Sequence, residues 1–410
     1  MTKERILWKK RYFTMLFGQA ISLISSGILQ MSIIFYLTAK TNSAMVLAIG
    51  TLIGFLPQAV LGPFAGAFVD RHSRKSIMIW ADLLIAITGG VLAVVAIFME
   101  LPVWLIMLVL LVRSIGTAFH SPASSAVTPL IVPQEQLTKC VGYTQTIQAI
   151  GSIISPAIAA FLYSNWTLTN IIMLDIVGAI IACSLLAILS IPNPPKCKKE
   201  TKVSFLQDIK DGYIILKKDK ALFTLLWIGT AYMFFYMPIS ALYPLMSMDY
   251  FQGTAMNASI AEIAFAIGML IGGSLLSIWG GFKNRIFSIG FSIFLMGTSI
   301  MISGLLPTNA FILFAVCCFI MGLSAPFYGV QNALFQEKIA PEYLGRVFSM
   351  LGSVIAFAMP LGLLLSGTLA EKIGVEKWFF ICGLGIIAIS ILVFVLPVLR
   401  NFEHKTNISE

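Results

Sequence analysis

Apolar residues in this chain fall in long blocks, without the alternation of apolar and polar positions that marks a membrane barrel. Twelve blocks stand out, at 12–38, 44–69, 76–99, 102–129, 140–164, 168–191, 221–248, 260–282, 286–306, 310–336, 347–370 and 376–397. About 20 apolar residues in a helix cross the roughly 30 Å hydrocarbon layer of a bilayer. Lipid offers the backbone no hydrogen-bond partners, so each block is predicted to be a membrane-spanning helix. The first block is too long for a signal peptide and has no small-residue cleavage site, so it is expected to stay as the first membrane helix.

The polar positions divide the chain. Residues 192–220, PNPPKCKKETKVSFLQDIKDGYIILKKDK, are the only long polar segment. Six apolar blocks precede it and six follow. The expected organisation is a six-helix bundle over 1–191, a linker over 192–220, and a second six-helix bundle with a short tail over 221–410. Prolines at 192, 194 and 195 cannot continue a helix. Ser204 and Gln207 fit a capping box. Leu206, Ile209, Tyr213 and Leu216 follow at helical spacing beside lysines, which predicts a short amphipathic helix on the membrane surface.

Composition supports lipid as the solvent. Hydrophobic residues make up 58% of the 410 and charged residues 11%, where a soluble domain carries roughly 25% charged. The net charge of +9 would suggest nucleic acid in a soluble protein, but its distribution points elsewhere. With the N-terminus in the cytoplasm, 23 of the 27 Lys and Arg fall on the inner side. Lys40, Lys372 and Lys377 fall outside, and Arg113 lies within a block. That asymmetry is the positive-inside pattern, and it puts both termini in the cytoplasm. The six cysteines form no CxxC pair and no metal-ligand spacing. No GxxxxGK[ST] loop and no clustered catalytic groups occur. Neither a metal nor a cofactor is expected, and a membrane-embedded enzyme or sensor is the most distant reading.

Ionisable side chains at membrane depth are where function is sought first. Four stand out. Arg113 lies about eleven residues into the fourth block. Asp82, Asp175 and Glu262 lie in the third, sixth and eighth. Each acid is a candidate proton carrier, with Asp82 and Asp175 placed ahead of Glu262. Each also has a structural reading: Asp82 pairing with the basic loop before it, Asp175 bonding a neighbouring helix, Glu262 sitting at the outer interface, and Arg113 closing an internal ion pair. His120, seven residues after Arg113, reads as a packing histidine before a relay. Candidate substrate-cavity groups are Gln19 and Gln30 in the first block, Tyr232, Tyr236 and Tyr243 on one face of the seventh, and Gln331 with Asn332 near the end of the tenth. Aromatics with a few polar groups suit a large amphipathic ligand. Packing is the plainer role for the same rings.

Between the second and third blocks, residues 66–75 read GAFVDRHSRK, which fits GxxxDRxxRK. That loop, in a six-plus-six plan, resembles the signature of the major facilitator superfamily. Arg113-Ser-Ile-Gly116 is similar to that family's RxxG element. Gly151-Ser-Ile-Ile-Ser-Pro156-Ala-Ile-Ala-Ala160 resembles its antiporter pattern GxxxGPxxGG, departing at Ser155, Ala159 and Ala160. The stretches GQAISLISSGILQMSIIFYLT, RSIGTAFHSPASSAVTPLIVP and FQEKIAPEYLGRVFSM are similar to the macrolide-efflux branch of its drug–proton antiporters.

The resemblance implies an all-helical fold of twelve spans in a bacterial inner membrane, and a pump exchanging amphipathic drug for protons by alternating access at a site between the halves. It implies a conformational latch at Gly66, Asp70 and Arg71, with Asp70 set against a helix N-terminus whose partial positive charge favours a carboxylate. Arg74 and Lys75 would chiefly fix topology. It ties Arg113 to proton transfer. The partners it implies are a small-molecule drug, protons and lipid, with no nucleic acid, a monomeric state, and room for functional pairing with a soluble ATPase. The competing reading on the same scaffold is import of a nutrient or export of another amphipathic drug.

Overall fold

The computed structural model describes residues 2–133, 136–191, 205–279, 281–282, 284–339, 341–400 and 402. Among the described residues, twelve helical spans are long and apolar enough to cross a membrane, which agrees with the twelve blocks. The helices are α1 (Thr2–Thr41), α2 (Ala44–Arg71), α3 (Arg74–Phe98), α4 (Val103–Ile131), α5 (Leu137–Asn165), α6 (Leu168–Ile188), α7 (Phe205–Lys218), α8 (Lys220–Leu245), α9 (Ala255–Trp279), α10 (Arg285–Leu305), α11 (Phe311–Tyr328), α12 (Val330–Lys338), α13 (Pro341–Ile373), α14 (Val375–Val395) and α15 (Pro397–Arg400).

Polar residues at the edges of the blocks set the boundaries. Ser73, Thr167 and Asn284 each accept an amide N–H three residues on, and Asp219 accepts those of Ala221 and Leu222. Each bond satisfies a donor that a helix start would otherwise leave free. The eighth span begins at Ala255, five residues before its apolar block, because the Asn257 side chain accepts the Thr254 N–H at 2.9 Å and starts the helix among polar residues. The tenth block is two helices. Pro326 lacks an N–H, and the chain turns at Gly329 between α11 and α12. A five-residue π-helical turn, Met246–Tyr250, extends α8. The predicted linker helix is present as α7, running against α13 with Leu216 buried and Tyr213 exposed. Ser204, the proposed cap, lies outside the described residues.

By contact the chain forms two units, Met1–Lys40 with Gly50–Glu200, and Thr41–Ile49 with Thr201–Glu410. In the first, α3 packs on both α4 and α6. Tyr12, fully buried, donates its hydroxyl to the Cys140 carbonyl at 2.6 Å, within an apolar cluster that includes Met15, Met78, Val127 and Leu186. Arg74 donates to the Ala126 carbonyl, and Lys75 to those of Ala187 and Leu189, so these two cations also cover carbonyls near the ends of α4 and α6.

In the second unit the helices pair as α10 with α14 and α9 with α11. Serines join them: Ser292 to the Ser324 carbonyl and Ser390 to that of Gly290, both at 2.8 Å. Such interhelical bonds average about 0.6 kcal/mol in membranes. Outward faces are apolar; Phe98 is 83% exposed and Ile278 87%, as hydrocarbon contact permits.

Candidate functional site

Small residues of the first unit gather polar groups into its interior. Gly178 on α6 is so close to Ser25 of α1 that a Cβ there would collide with the serine side chain. That approach brings Ser25 and Ser26 within reach of Asp175, one turn earlier on α6. Both hydroxyls donate to Asp175 Oδ1, at 3.3 and 2.8 Å. Asp175 Oδ2 accepts Arg113 Nη1 at 2.6 Å, with both residues buried. The carboxylate therefore has a cation on one oxygen and two hydroxyls on the other. A buried ion pair persists only when its remaining lone pairs are satisfied in this way.

Asp82 of α3 is also buried, but its setting differs. Its Oδ1 lies 3.5 Å from His120 Nε2, and the pair borders a cavity of about 350 Å³. Gln19, Ser26, Ser124 and Thr128 line the same space, and Gln19 donates to Ser124 Oγ at 2.6 Å. Among the described residues the cation facing Asp82 is His120 on α4, and the Cys183 thiol lies 4.0 Å from its Oδ2. The imidazole and the carboxylate thus face each other directly at the edge of this space.

The second unit has a smaller cavity, of about 100 Å³, of another character. Tyr236, Ser240 and Tyr243 reach it from one face of α8, Glu262 and Phe265 from α9, and Met321 from α11. Glu262 accepts a hydrogen bond from the Tyr243 hydroxyl. It is two turns into α9 and borders the cavity. Tyr232 stacks on Tyr236 with centroids 5.5 Å apart and planes 6° apart, and Tyr328 lies 4.5 Å from Tyr232 on the other side. Glycines fix the walls: a Cβ on Gly268 or Gly272 of α9, or on Gly322 of α11, would collide with the opposite backbone.

The proposed substrate groups are accordingly dispersed. Gln19 lines the first cavity; Tyr236 and Tyr243 line the second. Tyr232 is buried in the tyrosine stack behind it. Gln331 is buried and donates to the Leu225 carbonyl at 3.3 Å, Asn332 is exposed, and Gln30 is half-buried and borders neither cavity. Gly151 faces Leu23 of α1, and Pro156 lies inside α5, where Ala159 and Ala160 are fully buried. Gly66, Asp70 and Arg71 lie in α2, and their side chains are outside those described. Ser240 was not among the sequence candidates, although the spacing 236, 240, 243 puts it on the face of the two tyrosines; nothing local in the sequence marked the Asp82–His120 or Arg113–Asp175 pairings. Among the described residues, no group of three or more His, Cys, Asp or Glu is placed to hold a metal ion.

Among the described residues, twelve spans in two units, with ionisable groups inside them, define a multi-pass membrane protein. The family described as the Major Facilitator Superfamily matches residues 15–363, and the chain belongs to it. Macrolide efflux protein A of Streptococcus pyogenes is 57% identical over 399 residues, 97% of this chain and 98% of that protein. A protein of the same name from Enterococcus faecalis is 58% identical over 323 residues, 78% of this chain and all of that one. Among solved structures, a peptide-conjugate complex of a POT family transporter aligns at a TM-score of 0.75 and 13% identity, covering 94% and 96% of the two chains. A bacterial homologue of the lysosomal transporter Spinster aligns at 0.70 and 13%, covering 98% of both. These structural likenesses are of fold.

Proposed function

We propose that this chain exports macrolide antibiotics across the bacterial cell membrane in exchange for protons, by alternating access. The substrate class rests on the near full-length similarity to the two macrolide efflux proteins. The coupling rests on one observation, the Asp82–His120 pair bordering a polar cavity within a membrane unit. One proton moving inward down the membrane potential releases roughly 2.3 kcal/mol per 100 mV, which an exchanger can spend on an uphill drug gradient. Asp175, held by Arg113 and two serines, serves in this reading as a fixed counter-charge that keeps Arg113 in the membrane, and Asp82 is the acid that gains and loses the proton. In this reading Asp70, near the end of α2, controls the conformational cycle, so Asp70→Asn is expected to insert normally and export nothing.

The deciding experiment is erythromycin accumulation in cells with and without the protein, before and after the proton gradient is collapsed. Gradient-dependent exclusion supports the reading. Equal accumulation in all four conditions removes it. Proteoliposomes separate the two parts: export of erythromycin without drug-evoked proton movement would keep the substrate and discard the coupling.

A further inference from the structure

Three acids have been described inside the membrane spans, and they differ in what neutralises them. Asp175 faces Arg113 at 2.6 Å, and Asp82 faces His120 at 3.5 Å. Glu262 faces a tyrosine hydroxyl, and no lysine, arginine or histidine lines its cavity. A carboxylate within a membrane unit and without a cation is an incomplete pair. The rest of the lining indicates what would complete it. Tyr236, Tyr243 and Phe265 present ring faces or edges, Ser240 offers a hydroxyl, and Met321 a polarisable thioether. Aromatic rings beside an anion form the environment that attracts alkylated ammonium groups, whose charge is spread over apolar methyl groups. A volume of about 100 Å³ suits a dimethylammonium head and is too small for a macrolide ring. The tyrosine stack Tyr236–Tyr232–Tyr328 continues from this wall and supports Tyr236 from behind.

We infer that the cavity bounded by Tyr236, Ser240, Tyr243, Glu262, Phe265 and Met321 is a subsite for an alkylated ammonium group, with Glu262 as its counter-ion. For the proposed substrates, the group it takes is the protonated dimethylamine of the amino sugar, and that part of the inference rests on the macrolide reading. On arrival the ammonium replaces the Tyr243 hydroxyl as the main partner of Glu262, and the rings of Tyr236 and Phe265 enclose its methyl groups. The ring of the drug stays outside this pocket. The subsite thus selects for the amine and leaves the shape of the ring loosely specified.

The test uses the purified full chain in lipid nanodiscs. Carbodiimide labelling of Glu262 is followed by peptide mass spectrometry with benzyltrimethylammonium present, and with neopentylbenzene, its uncharged isostere. The ammonium compound is expected to slow labelling at Glu262 by about tenfold or more, as ordinary occupancy of a specific site would, while the neutral isostere leaves it unchanged. Equal effects of the two, or no effect of either, overturn the subsite. This readout contains no macrolide. If the cells show no macrolide export, the substrate reading fails while protection at Glu262 still decides the subsite. A second arm measures erythromycin binding: E262Q, checked for folding by size exclusion, is expected to bind about tenfold more weakly, and the amine-free aglycone to bind both forms alike. Undiminished erythromycin binding by folded E262Q overturns the subsite as well, since a purely proton-carrying Glu262 would leave amine selectivity intact.

Discussion

The two membrane units handle buried charge in opposite ways. In the first, Arg113 and Asp175 close on each other with Ser25 and Ser26 completing the carboxylate, and Asp82 has His120. In the second, the acid at the cavity wall meets a phenol, and the lining is mostly aromatic and apolar, where the first cavity has several serines and glutamines. A self-compensated cluster holds its geometry with nothing bound, and a polar space beside it can carry protons. An acid among rings, held by a phenol and no cation, leaves room for a cation that arrives. Under the two proposals made above, the contrast is a division of labour, proton handling in one unit and recognition of the amine in the other.

The largest expected break in that contrast comes from Arg113→Ala. It leaves Asp175 buried with two hydroxyls and no cation, and removing one partner of a buried pair destabilises by roughly 3–5 kcal/mol. Thermal unfolding in detergent should show it, and adding Asp175→Asn should restore much of the loss. An Arg113→Ala protein as stable as the parent would mean that the pair is not a structural unit. Next comes Asp82→Asn. Drug-evoked proton movement should vanish and uphill export fall by about tenfold or more, a cost of at least 1.4 kcal/mol in coupling, while erythromycin binding is retained. If binding falls with coupling, the two tasks share one site and the division fails.

The double variant Asp82→Asn with Glu262→Gln sharpens the point. Changes in separate units with no shared partner should add within about 0.5 kcal/mol, so the double variant should show both defects at their single-variant sizes. A marked departure, read from paired binding and proton-flux assays, would reveal communication between the units. The smallest expected effects are local. Ser26→Ala removes the shorter of the two serine bonds to Asp175 and should cost about 1 kcal/mol in stability; Ser25→Ala, with a 3.3 Å bond, should cost less. Tyr236→Phe keeps the ring face and should leave amine binding within about twofold, whereas Tyr236→Ala removes an aromatic contribution of about 0.5–2 kcal/mol.

The spans were legible in the sequence because a membrane helix is written locally, as about 20 apolar residues without interruption. The caps at Ser73, Thr167 and Asn284 were equally local, although the early start of α9 and the break at Gly329 needed the particular bonds and the proline that make them. The ionisable residues were conspicuous for the same reason, since charge stands out against an apolar block. Their partners were not conspicuous. Arg113 and Asp175 are 62 residues apart, and no local rule says which helix faces which. The pairing depends on Gly178 letting α1 and α6 approach, and one glycine among 32 carries no such label. The aromatic face of α8 could be drawn from its spacing. That Glu262 belongs beside it could not, because the α9–α11 seam that presents the acid is a matter of backbone contact.

That seam bears on how the second unit tolerates change. Gly268, Gly272 and Gly322 bring two backbones into direct contact, so replacement of any of them by a larger residue would force the walls of the Glu262 cavity apart. Change within this cavity is therefore channelled into the side chains that project from a fixed frame, Ser240, Phe265 and Met321 among them. On the proposed reading, new specificities would come from exchanging those few side chains while the frame that carries them stays as it is.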